Sequence, residues 1–299
     1  MSTAVEPQTA DISTTYDGSK LFIGMLRGCH WGPEMLNFGY YPWHNRAPFI
    51  SINKGQRELA YRLISLLGIE QGDSVLDIAC GRGGTSDLLR GSTTAGHVCG
   101  IDLLPENIEI ARAIFSEGPR LKYQVGNAQD ISFDDGSFDR AMCCEAAFHF
   151  PDRAKFISEV ARVLKPGGRF AMCDFVWQSE NARLLGFPDE RCEIVRRIWE
   201  YDDMALEAEY RGWCEESGLR FVEAIDWSRN VTGPLLRAAE VVVRSQKRRL
   251  GRRLLFHRRP QLKCFTDAEW VELERGVKAH RFVTDLTFYK AFVIEKPAE

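Results

Sequence analysis

The nine cysteines of this 299-residue chain include no C-x-x-C pair, and their number is odd. Neither a zinc site nor a disulfide framework is signalled. Several lie in apolar runs, where free cysteine behaves as a small hydrophobe, so a reducing, cytoplasmic setting is expected. No apolar run approaches the ~18 residues that a membrane span needs. The start, MSTAVEPQTADISTTYDGSK, lacks the basic-then-apolar order of a secretion signal, so the Asn230-Val231-Thr232 sequon reads as chance. An excess of one charge is also missing: 39 Lys and Arg face 42 Asp and Glu, a net of −3. No global field therefore draws in nucleic acid or an anionic membrane. No internal repeat, no Pro-Pro pair and no carboxylate or histidine cluster with metal-ligand spacing occurs, so no metal is expected.

What is there suits a folded protein. The 44% hydrophobic and 11% aromatic content, over this length, provides for one substantial core with a smaller cap. Residues 1–20 read as a disordered tail, and 21–52 as an aromatic, glycine-rich segment that must lie against something. Leu59, Leu63, Leu66 and Leu67 mark an amphipathic helix over 54–67, ended by Gly68. Short apolar strands follow at 74–78, 97–101, 121–125, 139–144 and 169–176, with helices at 83–91, 105–116 and 153–164. That alternation predicts an α/β fold, a parallel sheet with helices on both faces. Beyond 177 the rhythm breaks into helical stretches over 181–218, 235–259 and 266–280, with strands at 219–227 and 287–296.

The stretch SVLDIACGRGGTSDLL, Ser74 to Leu89, raises the central question. A tight glycine turn between a strand and a helix brings backbone N–H groups close to a ligand. A pyrophosphate would be repelled by Asp77 at the strand end, whereas an ammonium or a sulfonium would be welcome. Asp102, ending the second strand, can accept from ribose hydroxyls, or cap the helix that begins near Pro105.

Together VLDIACGRGG, GIDLLPENIEIAR, VGNAQDISFDDGSFD, CEAAFHFPDR and ARVLKPGGRF resemble, in order, a class I S-adenosylmethionine-dependent methyltransferase of the small-molecule branch. The resemblance implies a Rossmann-like, seven-stranded, mostly parallel sheet with the last strand antiparallel. It implies a lid and helix over 21–68, a cofactor-binding core over 69–180, and cap helices with the last two strands over 181–299. It places Asp77, Ala79 and Gly81 along the methionine part and Asp102 on the ribose. Leu103 would lie against the adenine, Asn127 and Ala128 at its edge, and Glu145 under the methionine end. Ala79 stands where the family usually has Gly, and Asn127 where it has Asp. LNFGYYPW, Leu36 to Trp43, resembles the segment whose aromatic residue folds over the cofactor in macrolide-sugar O-methyltransferases, with Tyr40 in that place; a structural anchor is the other reading.

For the base that takes a proton from the acceptor, His149 is the candidate. EAAFHFP resembles loops of both sterol C-methyltransferases and macrolide-sugar O-methyltransferases. Some O-methylating relatives carry the base one residue earlier, where this chain has Phe148. Asp174 would orient His149 or meet the acceptor, while His30 and His44 are alternatives to His149. The D/N-P-P-Y/F stretch of amine-modifying nucleic-acid methyltransferases is absent, so no nucleic-acid substrate is expected. Phe175, Trp177, Phe187, Trp199, Tyr201 and Trp213 point to a small, apolar or aromatic acceptor, with O-methylation ahead of C-methylation on a sterol or prenyl, even diphosphate, acceptor. An NAD-linked oxidoreductase and a non-catalytic cofactor-binding relative are the other classes, and a homo-oligomer stays open. Arg244 to Lys263 holds nine Lys and Arg and no acidic residue. It reads as a solvated face, an anionic-acceptor site or a docking surface, to be neutralised by the acidic stretch Glu200 to Glu209.

Overall fold

A computed structural model of the chain describes residues 34–42, 51–258 and 260–298. His30, Trp43, His44, the tail over 1–20 and most of the 21–52 segment lie outside the described residues. The sheet runs β3-β2-β1-β4-β5-β8-β7. Its strands are β1 (Ser74–Ile78), β2 (His97–Asp102), β3 (Leu121–Val125), β4 (Phe138–Cys144) and β5 (Leu164–Trp177), then β6 (Ala205–Leu206), β7 (Arg220–Asp226) and β8 (Thr287–Glu295). β1 to β5 pair in parallel, and β8 runs antiparallel to both β5 and β7. The seven expected strands are present. The two-residue β6 adds an eighth, pairing Val176 and Trp177 of β5 beyond the end of β4.

Alternation along the strands divides the core. Leu76, Ile78, Ala141, Cys143, Phe170 and Met172 face helices α4 (Arg153–Val163) and α7 (Glu207–Glu216). Val75, Met142, Ala171 and Cys173 face α1 (Ile52–Ser65), α2 (Gly84–Ser92) and α3 (Pro105–Ile114). Local signals set the helix starts. Asp152 accepts from the Lys155 N–H at 2.8 Å, and Pro105 opens α3.

The residues after β5 build a third apolar cluster. It joins α5 (Glu180–Gly186), α6 (Glu190–Trp199), α8 (Thr232–Gln246), α9 (Arg249–Arg258) and α10 (Asp267–Leu286) through Trp177, Val195, Trp199, Leu236, Trp270 and Val283. Thr266 and Glu269 cap α10 reciprocally. This helical cap stands over the C-terminal ends of β4 and β5, where open α/β sheets bind ligands.

Candidate functional site

Two cavities open there, back to back. The first is a cleft of about 1310 Å³, open solvent included, between the β1–α2 turn, the ends of β2, β3 and β4, and the segment 34–37. Asp77, Ala79, Gly81, Asp102, Leu103, Asn127, Ala128 and Glu145 all line it. Eight of the nine residues expected around the cofactor thus meet in one cleft. Tyr40 does not: its ring packs edge-on to Trp227 at 5.6 Å, with the Arg62 guanidinium 4.0 Å from its face. Tyr40 anchors the segment, and Leu36 and Asn37 are its residues that reach the cleft.

The segment 34–41 is stitched down along its length. Gly84 N–H donates to the Glu34 carbonyl, and Gln56 Nε2 donates to the Met35 and Asn37 carbonyls. Tyr40 N–H meets the Gly55 carbonyl and Tyr41 N–H the Asn230 carbonyl. Phe38 N–H lies 3.1 Å from each oxygen of Glu145. Only glycine permits the first of these approaches, because a Cβ on Gly84 would stand 2.5 Å from the Glu34 carbonyl.

Buried carboxylates define the electrostatics. Asp77 lies fully buried in the central strand, between Gly100 of β2 and Met142 of β4. Burial pushes its pKa from 3.8 to about 7, against the Ser86 hydroxyl, which donates to Oδ2 at 2.6 Å. Its Oδ1 has no hydrogen-bond partner, nor has Oδ1 of the buried Asn37. Two orphaned acceptors on the wall of one cleft are what an ammonium group would satisfy. Asp102 Oδ1 accepts from Leu104 N–H at 3.1 Å and Asn107 Nδ2 at 2.9 Å, and Oδ2 from Gly81 N–H at 2.8 Å. Three of its roughly four lone-pair positions are thereby taken, leaving one on Oδ2 for a ligand hydroxyl. Asn127 Oδ1 accepts from Gln129 N–H at 2.9 Å and keeps one lone pair.

Glu145 follows β4 with φ 60, and Ala79 follows β1 with φ 56. Both are non-glycine residues in the left-handed region, and both face the cleft. Such backbone costs on the order of 1–2 kcal/mol and clusters at functional sites. Tyr289 Oη donates to Glu145 Oε2 at 2.7 Å, yet burial still raises its pKa from 4.5 to about 8.

The second cavity, about 880 Å³ on the same measure, shares Glu145 and Leu36 with the first. Its walls are Phe38, Phe148, Phe175, Trp199 and Tyr201, closed by Thr232, Leu235, Leu236 and Ala239 of α8 and His280, Val283 and Thr284 of α10. No Lys or Arg lines it. Of the aromatic residues singled out from sequence, Phe175, Trp199 and Tyr201 are on this wall. Trp177 instead donates to Asp203 at 2.8 Å, Trp213 packs on the core, and Phe187 lies exposed under Arg196.

The turn Ala147–His149 sorts its two rings to opposite sides. Phe148 enters the apolar cavity and His149 the cleft. His149 Nδ1 lies 3.1 Å from the Glu200 carbonyl, and burial together with Arg153 pushes its pKa down to about 3. Asp174 lines neither cavity. Its Oδ2 accepts from Tyr210 Oη at 2.6 Å and Oδ1 from Phe175 N–H at 2.9 Å, with burial raising its pKa to about 6. Asp174 therefore reaches neither an acceptor in the apolar cavity nor the cleft, contrary to its expected role. Sequence reasoning missed His280, whose ring accepts from Trp199 Nε1 at 2.7 Å. The spacing His280, Val283, Thr284, Thr287 on one helix face was the available signal.

Among the described residues no group of three or more His, Cys, Asp or Glu is placed to hold a metal, and no helix is long and apolar enough to cross a membrane. Comparison with known proteins supplies the remaining step. Residues 76–172 match the family described as "Methyltransferase domain". The chain is 30% identical over 239 residues to the 27-O-demethylrifamycin SV methyltransferase of Amycolatopsis mediterranei, covering 79% of this chain and 83% of that protein. It is 27% identical to the O-methyltransferase resE of Aspergillus sclerotiorum, over 84% and 91% of the two chains. The fold is shared with a geranyl diphosphate C-methyltransferase from Streptomyces coelicolor, at TM-score 0.71, 16% identity, and coverage of 99% and 100%. It is shared equally with the [4+2]-cyclase SpnF, at TM-score 0.71, 18% identity and 98% of each chain. That pair shows why the fold alone decides no chemistry, and the decision falls to the cleft and to the relatives aligned across it. On those grounds the chain is an enzyme of the class I S-adenosylmethionine-dependent methyltransferases, with S-adenosylmethionine as its cofactor.

Proposed function

We propose that the enzyme methylates a hydroxyl of a small, largely apolar molecule held in the second cavity, with Glu145 as the proton acceptor. The observation that carries this reading is the shared wall: Glu145 and Leu36 alone, among the described residues, face both cavities.

The cleft fits the cofactor. Its unpartnered Asp77 and Asn37 oxygens suit the ammonium, and the remaining Asp102 lone pair suits a ribose hydroxyl. Leu103 and Ala128 flank an adenine, with Asn127 at its edge and Ala79 and Gly81 along the methionine. S-adenosylmethionine, when bound, supplies an electrophilic methyl group and leaves as S-adenosylhomocysteine. The acceptor oxygen forms the new O–C bond as the S–C bond breaks, and its proton passes to a Glu145 carboxylate oxygen and then to solvent.

Glu145 suits that task better than His149. A carboxyl with pKa about 8 is poised near neutrality, and a cation beside it favours the ionised form. His149, pushed down to about 3, is a weak base and faces the cleft rather than the apolar cavity. His280 uses its ring to accept from Trp199 and lies 2.7 Å from the Gly276 carbonyl at Nδ1, which holds it neutral as a wall. The aromatic walls exclude water and hold the acceptor in line, an effect worth roughly 7–11 kcal/mol when geometry is right.

A second reading is C-methylation of an alkene. Phe38, Phe148, Phe175, Trp199 and Tyr201 form an aromatic surround that would stabilise a carbocation. The absence of any Lys or Arg from that wall counts against a diphosphate acceptor.

The test is turnover with a panel of apolar phenols, alcohols and alkenes, using cofactor with a carbon-13 methyl. A product methyl with a methoxy shift supports the first reading, and an alkyl shift replaces it with the second. Glu145→Gln should cost about 10²–10⁴-fold in kcat. His149→Gln should keep most of it. The reverse ranking, with S-adenosylhomocysteine binding intact in both variants, sinks the assignment of Glu145.

A further inference from the structure

Helix α9 is the one basic element whose charges the fold leaves open. It contains no buried residue. Leu255 and Phe256 rest half-buried against the cap, the Phe256 ring 6.4 Å from Trp270. On the opposite side Leu250 is 70% exposed and Leu254 54%. At about 100° per residue, Arg249, Arg253, His257, Leu250 and Leu254 fall within roughly 140° of one face.

The flanking positive charges divide into two groups. Arg244 pairs with Glu240 and Lys247 with Glu274. Arg248, Arg249, Arg252 and Arg253 form no ion pair among the described residues. The acidic stretch expected to neutralise them is committed elsewhere. Asp203 and Glu209 bind Arg183, and Glu207 binds Arg211 and Lys290. An exposed helix with two leucines on its outer face, bordered by unpaired arginines, is a chemical match for one kind of surface. An acidic protein or a nucleic acid satisfies the arginines but gives the leucines nothing. An anionic bilayer offers headgroup charge and an apolar boundary in one plane.

We propose that α9 docks this enzyme on an anionic lipid bilayer, with Leu250 and Leu254 entering the headgroup boundary and the four arginines bound to lipid phosphates. The chain gives the docking a purpose. α8 passes through Lys247 and Arg248 directly into α9, and Leu235, Leu236 and Ala239 of α8 wall the apolar cavity. The docked helix is therefore continuous with the acceptor site, and a lipophilic acceptor partitioned into the bilayer would be collected where it resides. This purpose rests on the apolar-acceptor reading given above; the docking itself does not.

Four arginines near an anionic surface are worth on the order of 10²–10³-fold in partitioning. The experiment is sedimentation of the full chain with vesicles of phosphatidylcholine alone, or with phosphatidylglycerol added, at low and high salt. Anionic vesicles should be bound on the order of 10²–10³-fold more tightly than neutral ones, with the preference shrinking at high salt. The pair Arg249→Glu and Arg253→Glu should lose at least about tenfold. Leu250→Ser with Leu254→Ser should lose several-fold while leaving S-adenosylhomocysteine affinity unchanged, which shows that the variant is folded. Absence of wild-type binding to anionic vesicles overturns the proposal. So does vesicle binding that ignores the leucine substitutions and is matched by binding to RNA or polyglutamate. Neither acceptor nor turnover enters this measurement, so a failure here leaves the acceptor reading standing, and failure to methylate a soluble apolar acceptor leaves the docking standing.

Discussion

Asp77 makes cofactor binding a proton-linked event. Its carboxyl is fully buried, and burial raises its pKa from 3.8 to about 7. Only the ionised form can hold the ligand's ammonium at the orphaned Oδ1. The ionised fraction is about one part in eleven at pH 6 and about ten in eleven at pH 8, so affinity for S-adenosylhomocysteine should rise about tenfold across that range, or ~1.4 kcal/mol. About half a proton should be released per ligand at pH 7, visible by calorimetry in two buffers of different ionisation heat. Glu145, at about 8, would extend the rise upward if the ligand's charge reaches it, so Glu145→Gln is the background that isolates Asp77. Asp77→Asn should bind weakly and without pH dependence. The same shift runs the other way for the unliganded fold. A carboxyl raised on folding binds more protons when folded, so stability falls as pH climbs from about 4 to about 7, by ~4 kcal/mol. Wild-type affinity that is flat or falling between pH 6 and 8, in protein with unchanged circular dichroism, would refute the reasoning.

Three further outcomes are expected. Tyr289→Phe removes the hydroxyl that donates to Glu145 Oε2 and helps hold its pKa down, so the pH giving half-maximal kcat should move up by about one unit; a downward move would contradict the hydrogen bond's role. Gly84→Ala drives a methyl against the Glu34 carbonyl, and should weaken S-adenosylhomocysteine several-fold by lifting the segment 34–38, while urea unfolding changes by only about 1 kcal/mol. Ala79→Gly relieves the left-handed backbone at φ 56 and should raise the urea midpoint slightly, by at most about 1 kcal/mol, whereas Ala79→Val should lower it.

The seven long strands were legible because their apolar runs are short and bounded by turns, and because sheet and helix periods differ. The two-residue β6 was not, since Ala205 and Leu206 are a strand only by pairing with Val176 and Trp177. The cofactor residues were legible because they follow strand ends at fixed spacing, and the chain itself carries them to one place. The acceptor wall was not, because its residues come from five separate stretches that meet only after the cap has packed. The turn at Ala147–His149 is the sharpest case. Phe148 and His149 are neighbours in sequence, and only the twist of a single turn decides which of them faces the apolar cavity. Tyr40 went astray for a related reason, as the ring found Trp227 and Arg62 while Leu36 and Asn37 took the cleft.

The near-complete separation of the two walls bears on how such an enzyme changes over generations. The cleft draws on residues 34–37 and 77–151, and the apolar cavity almost wholly on Phe38, Phe148 and residues 175–287. Drift or recombination confined to the cap can therefore reshape what is accepted without disturbing what donates. Inheritance of the donor and invention of the acceptor are nearly independent, coupled only through Leu36 and Glu145. A lineage can trade one recipient molecule for another by exchanging the stretch from Glu180 to Leu286, provided that the two shared residues are kept.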